Sequence, residues 1–308
     1  DHGTRIDTGS SRVDRSMILV TGATGLNGSE LVRRLSAKGI PSRALVRNLA
    51  KAQPLALLPN VEVVEGDMAR PDSLADALRG VDRAMLISSS DPTMVETQSS
   101  FIDAAKKAGV EHVVKLSGII PELDSAFRFA RMHAEIEKRL EDSGLAFTHL
   151  RAGEFMPSYF RQVPSIVARG VLALPMADAR IASVDIGDLA EVSIAVLTTP
   201  GHEGKTYPLT GPESLSMAEV AEKISAAIGK TIRYVDVPPA EANSGRLAAG
   251  MPPYLAEGLD ELFAERRKGK ESTVWPTIKD VFGMQPTTFD QFANRNAAIF
   301  RGEQPSPR

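Results

Sequence analysis

From Met17 onward the chain repeats one rhythm: a short apolar run, then a longer stretch with apolar residues at helical spacing. Met17-Ile18-Leu19-Val20 is apolar and branched without alternation, as a strand buried on both faces should be. Between residues 26 and 38, Leu31, Val32 and Leu35 mark one face of a helix, and Gly39 offers a stop. Further strands are expected at 42–46, 61–65, 83–88, 112–116 and 145–150. Helices are expected at 71–79, 94–108 and 131–143, each followed closely by glycine (Gly80, Gly109, Gly144). Six strands alternating with helices predict an α/β fold, a doubly wound parallel sheet of Rossmann type over residues 17–151. Beyond Arg151, prolines at 157, 164, 175, 200, 208 and 212 shorten the elements. Residues 152–308 are expected to form a smaller α/β lobe on the substrate side. Its strands, at 205–210 and 231–235 with a helix at 217–228 between, should partly extend the same sheet. The Pro/Gly/Ala-rich stretch 238–258 is a candidate lid.

The first strand runs into Gly22-Ala23-Thr24-Gly25-Leu26-Asn27-Gly28, and a helix follows. The first glycine permits a tight turn, the second lets backbone approach a pyrophosphate, and the third lets the helix pack closely. The helix then meets the phosphates with free N–H groups. Gly22, Thr24, Gly25, Leu26 and Asn27 are therefore candidate cofactor contacts, and the cofactor is a dinucleotide. The end of the second strand decides which one. An NAD site expects an acidic residue there, but none occurs between Glu30 and Glu62. Arg33, Arg34, Lys38, Arg43, Arg47 and Lys51 stand in that interval instead. Arg47 follows Val46 directly, where a guanidinium can fork onto a 2′-phosphate. NADP(H) is thus expected over NAD(H). Asp67 and Met68 follow the third strand on the adenine side, and Asp67 either accepts from the adenine amine or caps a turn. Ser88, Ser89 and Ser90 close the fourth strand, small enough to admit a ribose.

Composition narrows the partners. The 308 residues are 43% hydrophobic, carry a net charge of −3 and include no cysteine. A packed core is available, and no electrostatic reason favours nucleic acid or an anionic membrane. Disulfides, thiolate metal sites and a cysteine nucleophile are excluded, which suits a reducing cytoplasm. No apolar run suffices for a membrane span. Residues 1–16 are polar and are expected to be a flexible arm or a remnant of expression. A small-molecule substrate and a monomer or homodimer are the expected partners.

These residues together resemble the NmrA-like family of atypical short-chain dehydrogenases. The likeness runs through Val20-Thr21-Gly22-Ala23-Thr24-Gly25, Leu45-Val46-Arg47-Asn48, Glu65-Gly66-Asp67, Val113-Val114-Lys115-Leu116-Ser117 and His133-Ala134-Glu135-Ile136-Glu137, and on through 143–151, 207–212 and 216–221. The resemblance implies NADPH-dependent reduction of quinones, triphenylmethane dyes or plant phenolics, or cofactor-binding regulation without turnover. It also tips Asp67 toward a cofactor role.

Ordinary short-chain dehydrogenases protonate their carbonyl substrate with Tyr-x-x-x-Lys. Four residues beyond Tyr159, Tyr207, Tyr234 and Tyr254 stand Val163, Gly211, Pro238 and Gly258, so the pair is absent. Where the resemblance puts the tyrosine, the chain reads Phe129-Ala130-Arg131-Met132-His133. One reading is hydride transfer to a conjugated acceptor, with His133 giving a proton or hydrogen bond. Its plainer alternative is a helix-surface histidine paired with Glu137. Lys115 and Ser117, at the end of the fifth strand, are the other catalytic candidates, with holding the ribose hydroxyls the alternative role for Lys115. Glu154 and Phe155 follow the sixth strand beside the nicotinamide, and Phe129, His133, Phe155 and Met156 are expected to wall the substrate. A second reading is an NADP(H) sensor, and a third an isomerase or cyclase that retains its cofactor. Gly-Lys-Thr at 204–206 and 229–231 lacks the glycine a P-loop needs five positions earlier, and no metal-ligand spacing stands out. Asp185 and Asp188 read as caps of an apolar helix over 189–197.

Overall fold

In a computed structural model of the chain, which describes residues 16–307, seven strands form one sheet in the order β3-β2-β1-β4-β5-β6-β9. They are β1 (Met17–Val20), β2 (Ser42–Val46), β3 (Val61–Glu65), β4 (Val81–Leu86), β5 (His112–Gly118), β6 (Ala146–Ala152) and β9 (Lys205–Leu209). Every pairing is parallel. The expected doubly wound α/β sheet is therefore present, although β4 begins two residues earlier than its periodicity suggests. The arm expected over residues 1–16 lies, apart from Ser16, outside the described residues.

Parallel strands need crossovers, and the helices that make them cover both faces. The residues of β1 alternate between two cores: Ile18 and Val20 join one, Leu19 the other. The first core lies under the Leu26–Ala37 and Ile186–Thr198 helices. The second face is covered by the Met94–Ala108 and Arg128–Glu141 helices through Phe101, Ile102, Ile136 and Leu140. The sheet order reverses between β1 and β4, which opens a crevice at their carboxyl ends. Thr21 closes its floor: the hydroxyl donates to Ile87 O at 2.7 Å and accepts from Ile87 N at 2.7 Å.

Beyond residue 152 only β9 joins the main sheet. The strand expected near 231–235 is β11 (Arg233–Asp236), and it pairs with β7 (Val171–Leu174) in a separate two-stranded sheet. A further two-residue strand, β8 (Arg180–Ile181), pairs with β10 (Leu215–Ser216). These pieces surround a core of their own, built on Phe160, Phe289, Phe292 and Phe300. The 238–258 stretch forms the Pro239–Ala248 helix and the start of the Pro253–Arg267 helix.

Two expectations about acidic residues separate here. Asp185 does cap the Ile186–Thr198 helix, accepting from Gly187 N at 2.7 Å, and it also pairs with Arg295. Asp188 is no cap. Its carboxylate accepts from Thr287 N at 2.7 Å and from the Thr287 hydroxyl at 3.0 Å, and so ties down the C-terminal segment. Phe292 is 1% exposed between Phe160 and Phe300. Truncation to alanine leaves a cavity worth about 3–5 kcal/mol. Urea unfolding of Phe292→Ala should show that loss, and a change under about 1 kcal/mol would mean this aromatic core carries little of the stability.

Candidate active site

Gly22 has φ +59°, and a Cβ there would lie 2.9 Å from Ile87 O. A Cβ on Gly28 would lie 2.2 Å from Gly22 O. Helix and turn are in backbone contact, so only glycine serves at either position. No side chain caps the Leu26–Ala37 helix, and its first turn has no acidic residue. Thr24 and Gly25 are exposed, Leu26 and Asn27 half-buried. Asn27 Oδ1 is buried without a hydrogen-bond partner. Uncapped N–H groups and open glycine backbone together fit a pyrophosphate, while the Asn27 amide oxygen, an acceptor, calls for a donor such as a ribose hydroxyl.

The basic residues near β2 sort themselves by partner. Arg33 and Arg34 bind Glu30 at 3.1 and 2.6 Å, and Arg34 and Lys38 bind Glu191. Arg43 holds Glu62 at 2.8 Å and two carbonyls. Arg47 is exposed at the carboxyl end of β2 and has no ion pair or hydrogen bond among the described residues. Asp67 does cap a turn, accepting from Ala69 N at 3.0 Å. Met68 packs against the sheet's second core.

The crevice opens into a cavity of about 1270 Å³, larger than one small ligand needs. It brings together Asn27, Ser88, Ser89, Ser90, Ser117, Phe129, His133, Glu154 and Phe155. The three serines lie past the end of β4, and Ser88 Oγ accepts from Gln98 Nε2 at 2.8 Å. Glu154 is not free to grip a ribose with its carboxylate, which is held by Arg266 and Ser158. Burial opposes its ionisation, but the adjacent guanidinium keeps its carboxyl below the usual range. Met156 does not wall the substrate; it is 2% exposed in the second lobe's core. Sequence reasoning missed the outer wall, where Gly245, Leu255, Leu259 and Phe263 line the cavity from the two helices after 238 and Met251 from the turn between them. Their apolar spacing was hidden by the prolines and glycines around it.

The chemistry concentrates beneath the Arg128–Glu141 helix. Lys115 is fully buried on β5, and its Nζ has two partners, Leu116 O at 3.2 Å and His133 Nδ1 at 3.0 Å. Burial brings its amine down to about 7, against the pull of the Glu137 carboxylate. Burial, and then the lysine's charge, hold His133 well below its ordinary value. His133 is therefore not the surface partner of Glu137. Glu137 forks onto Arg151 instead, at 2.6 and 3.1 Å. An ammonium has three donors and no lone pair, so with Lys115 charged Nδ1 accepts and a neutral ring carries its proton on Nε2. The ring lines the cavity. Phe129, one turn before it, is 5% exposed and packs edge-on against Phe127 and Tyr254. Glu137, Glu141 and His149 bring possible ligand atoms within 4.8 Å of one another, but Arg151 and the His149–Glu141 contact already occupy them.

A model of the NmrA-like family matches residues 14–293. The chain belongs to this family. An NAD(P)H azoreductase from Xenophilus azovorans is 38% identical over 284 residues, spanning 92% of this chain and 99% of that one. The crystal structure of an NADPH-dependent quinone oxidoreductase from Escherichia coli, complexed with NADPH, superposes with TM-score 0.82 at 31% identity, over 91% of this chain and 99% of that one. The triphenylmethane reductase of Citrobacter sp., complexed with NADP(H), gives 0.81 at 27% over the same shares. The expected family and fold are both borne out. No helix among the described residues is long and apolar enough to cross a membrane.

The glycine contact yields a test. Gly28→Ala forces the turn and helix apart, at about 1–3 kcal/mol for overpacking. Thermal unfolding should fall accordingly and cofactor affinity should fall with it. Unchanged affinity in a folded variant would detach the turn from the cofactor.

Proposed function

We propose that this protein reduces a conjugated, electron-poor acceptor such as a quinone, enone or dye, with the proton supplied by the Lys115–His133 pair. In coarser terms it is an NAD(P)H-dependent oxidoreductase, with NADP(H) as its cofactor and a small molecule as its substrate. Gly22, Thr24, Gly25, Leu26 and Asn27 hold the pyrophosphate in this reading and Arg47 the 2′-phosphate. Asp67 and Met68 border the adenine, while Ser88, Ser89, Ser90 and the backbone at Glu154 and Phe155 border the ribose and nicotinamide. The bound NADPH supplies hydride. Phe129 and Phe155 line the cavity with Ile119 and Ile120 and would give the acceptor an apolar wall, while the Ser117 hydroxyl is buried and can act only from behind it.

The observation that carries the reading is the 3.0 Å contact between Lys115 Nζ and His133 Nδ1. It aims an N–H, not a lone pair, at the cavity. As charge builds on the acceptor, Nε2 gives up its proton while Nδ1 receives one from Lys115, so the ring stays neutral throughout. This pair replaces the missing tyrosine: the imidazole donates, and the lysine behind it makes donation possible.

Three expected results follow from these assignments. NADPH should bind at least about tenfold tighter than NADH, roughly 1.4 kcal/mol, and Arg47→Ala should erase most of that difference in a fluorescence titration; equal affinities in the unaltered protein would contradict it. NADPH oxidation, read from the loss of nicotinamide absorbance against quinones, enones and dyes, should slow about 10²-fold in His133→Ala. No turnover with any acceptor, despite tight cofactor binding, would favour a sensor. The donor requires the Lys115 ammonium, whose ionisation lies at about 7. The rate should therefore hold at acid pH and fall as pH rises through 7, and a flat profile in that range would remove the lysine from the mechanism.

A further inference from the structure

The helix from Met94 to Ala108 turns one stripe of side chains inward: Met94, Gln98, Phe101, Ile102 and Ala105 are its buried residues. Four of them are apolar, as the inner face of a crossover helix should be. Gln98 is the exception, and it is 1% exposed. A buried amide is tolerated where both of its ends are met. Here one is not. Nε2 donates to Ser88 Oγ at 2.8 Å, while Oε1 is buried with no partner among the described residues.

Ser88 sets which way the amide faces. Its hydroxyl has one proton, which it donates to Ser89 O at 3.3 Å. Ser88 Oγ therefore meets Gln98 as an acceptor, so the NH2 end faces it and the carbonyl end is left over. Gln98 lines the cavity together with Ser88 and Asn27, and Asn27 Oδ1 is likewise buried and unmet. The two amides stand at the carboxyl ends of neighbouring parallel strands, Asn27 after β1 and Gln98 on the helix after β4. The sheet order reverses between those strands. Two unmet acceptors at one crevice call for a ligand with two donors.

Phosphate oxygens donate nothing, so the pyrophosphate cannot meet either amide oxygen. A dinucleotide laid across the switch point puts its adenine over β2 and β3 and its nicotinamide toward β5 and β6. The ribose that joins nicotinamide to pyrophosphate falls between, and it carries two adjacent hydroxyls. We propose that Gln98 is a cofactor-binding residue whose Oε1 accepts from one hydroxyl of the nicotinamide ribose, with Asn27 Oδ1 accepting from the other. The proposal rests on the reading that places the 2′-phosphate at Arg47 and the nicotinamide beside Phe155. Holding both hydroxyls fixes the sugar, and so the nicotinamide it carries, without a charged side chain. Through Nε2 the same amide ties that sugar to the serine turn at 88–90. The polar residue in an otherwise apolar stripe is thereby accounted for.

The test titrates the cofactor-free Gln98→Met and Gln98→Leu variants, beside the unaltered protein, by calorimetry with three ligands. They are NADP+, the same molecule without its nicotinamide (2′-phospho-ADP-ribose), and adenosine 2′,5′-bisphosphate, which lacks that ribose too. Affinity for the first two should fall about tenfold in both variants, and affinity for the bisphosphate should stay within about twofold. The thermal midpoint of the cofactor-free protein should hold, because an apolar side chain joins an apolar stripe. Unchanged NADP+ affinity would overturn the proposal in favour of a water on Oε1. Weakening of NADP+ alone would overturn it in favour of the nicotinamide carboxamide. Equal weakening of all three ligands, with a lowered midpoint, would overturn it in favour of a packing role. If the bisphosphate does not compete with NADP+ on the unaltered protein, the placement of the adenosine end fails, and it fails separately from Gln98.

Discussion

Burying the Lys115 amine beneath the Arg128–Glu141 helix strips it of water and leaves it two acceptors, one carbonyl and one imidazole nitrogen. A buried ammonium is expensive, and the cost is visible in an ionisation brought down to about 7. The arrangement around it follows from that constraint. His133 presents Nδ1 inward, and a charged Lys115 then leaves the ring N–H facing the cavity. Glu137 lies close enough to favour the charged amine, yet is itself held by the Arg151 fork rather than collapsing onto Lys115 or His133. The helix register that brings His133 over β5 also carries Glu137 and Glu141 over β6.

Holding the cofactor and using it are served by different parts of the sheet. The pyrophosphate cradle depends on backbone contact between Gly22 and Gly28 at the end of β1. The proposed chemistry depends on side chains of β5 and the helix that follows it. Both meet because all seven strands run one way and present their carboxyl ends along one edge. The same division suits a chain that resembles both an azoreductase and a quinone oxidoreductase. In the proposed reading the nucleotide side is fixed by β1 to β4, while the acceptor meets Phe129, Phe155 and the helices after 238.

The sheet was legible because β1, buried on both faces, reads as a plain apolar run, and because β2 and the edge strand β3 carry branched residues between turn signals. The glycine turn was legible because backbone contact admits no other residue. The later lobe was not. Its strands β7 and β11 are four residues long and pair across about sixty positions of chain, which no local window detects. Met156 and Asp188 were misread for the same reason, since each is committed to a distant partner. His133 was singled out as a residue worth weighing, but i+4 spacing suggested Glu137 as its partner, where the structure has Lys115. Strand alternation in β5 and β6 places Lys115 and His149 on the helix-covered face, so the lysine contact was within reach once the strands were paired.

The central claim is the protonation pattern of one ring. Nitrogen-15 NMR of the protein labelled at its histidine ring nitrogens, recorded slightly below pH 7, reports each nitrogen of His133 separately. The account predicts a neutral ring with Nε2 protonated and Nδ1 bare, and a Lys115→Met variant that loses this preference. A proton on Nδ1, or a doubly protonated ring at that pH, would contradict it.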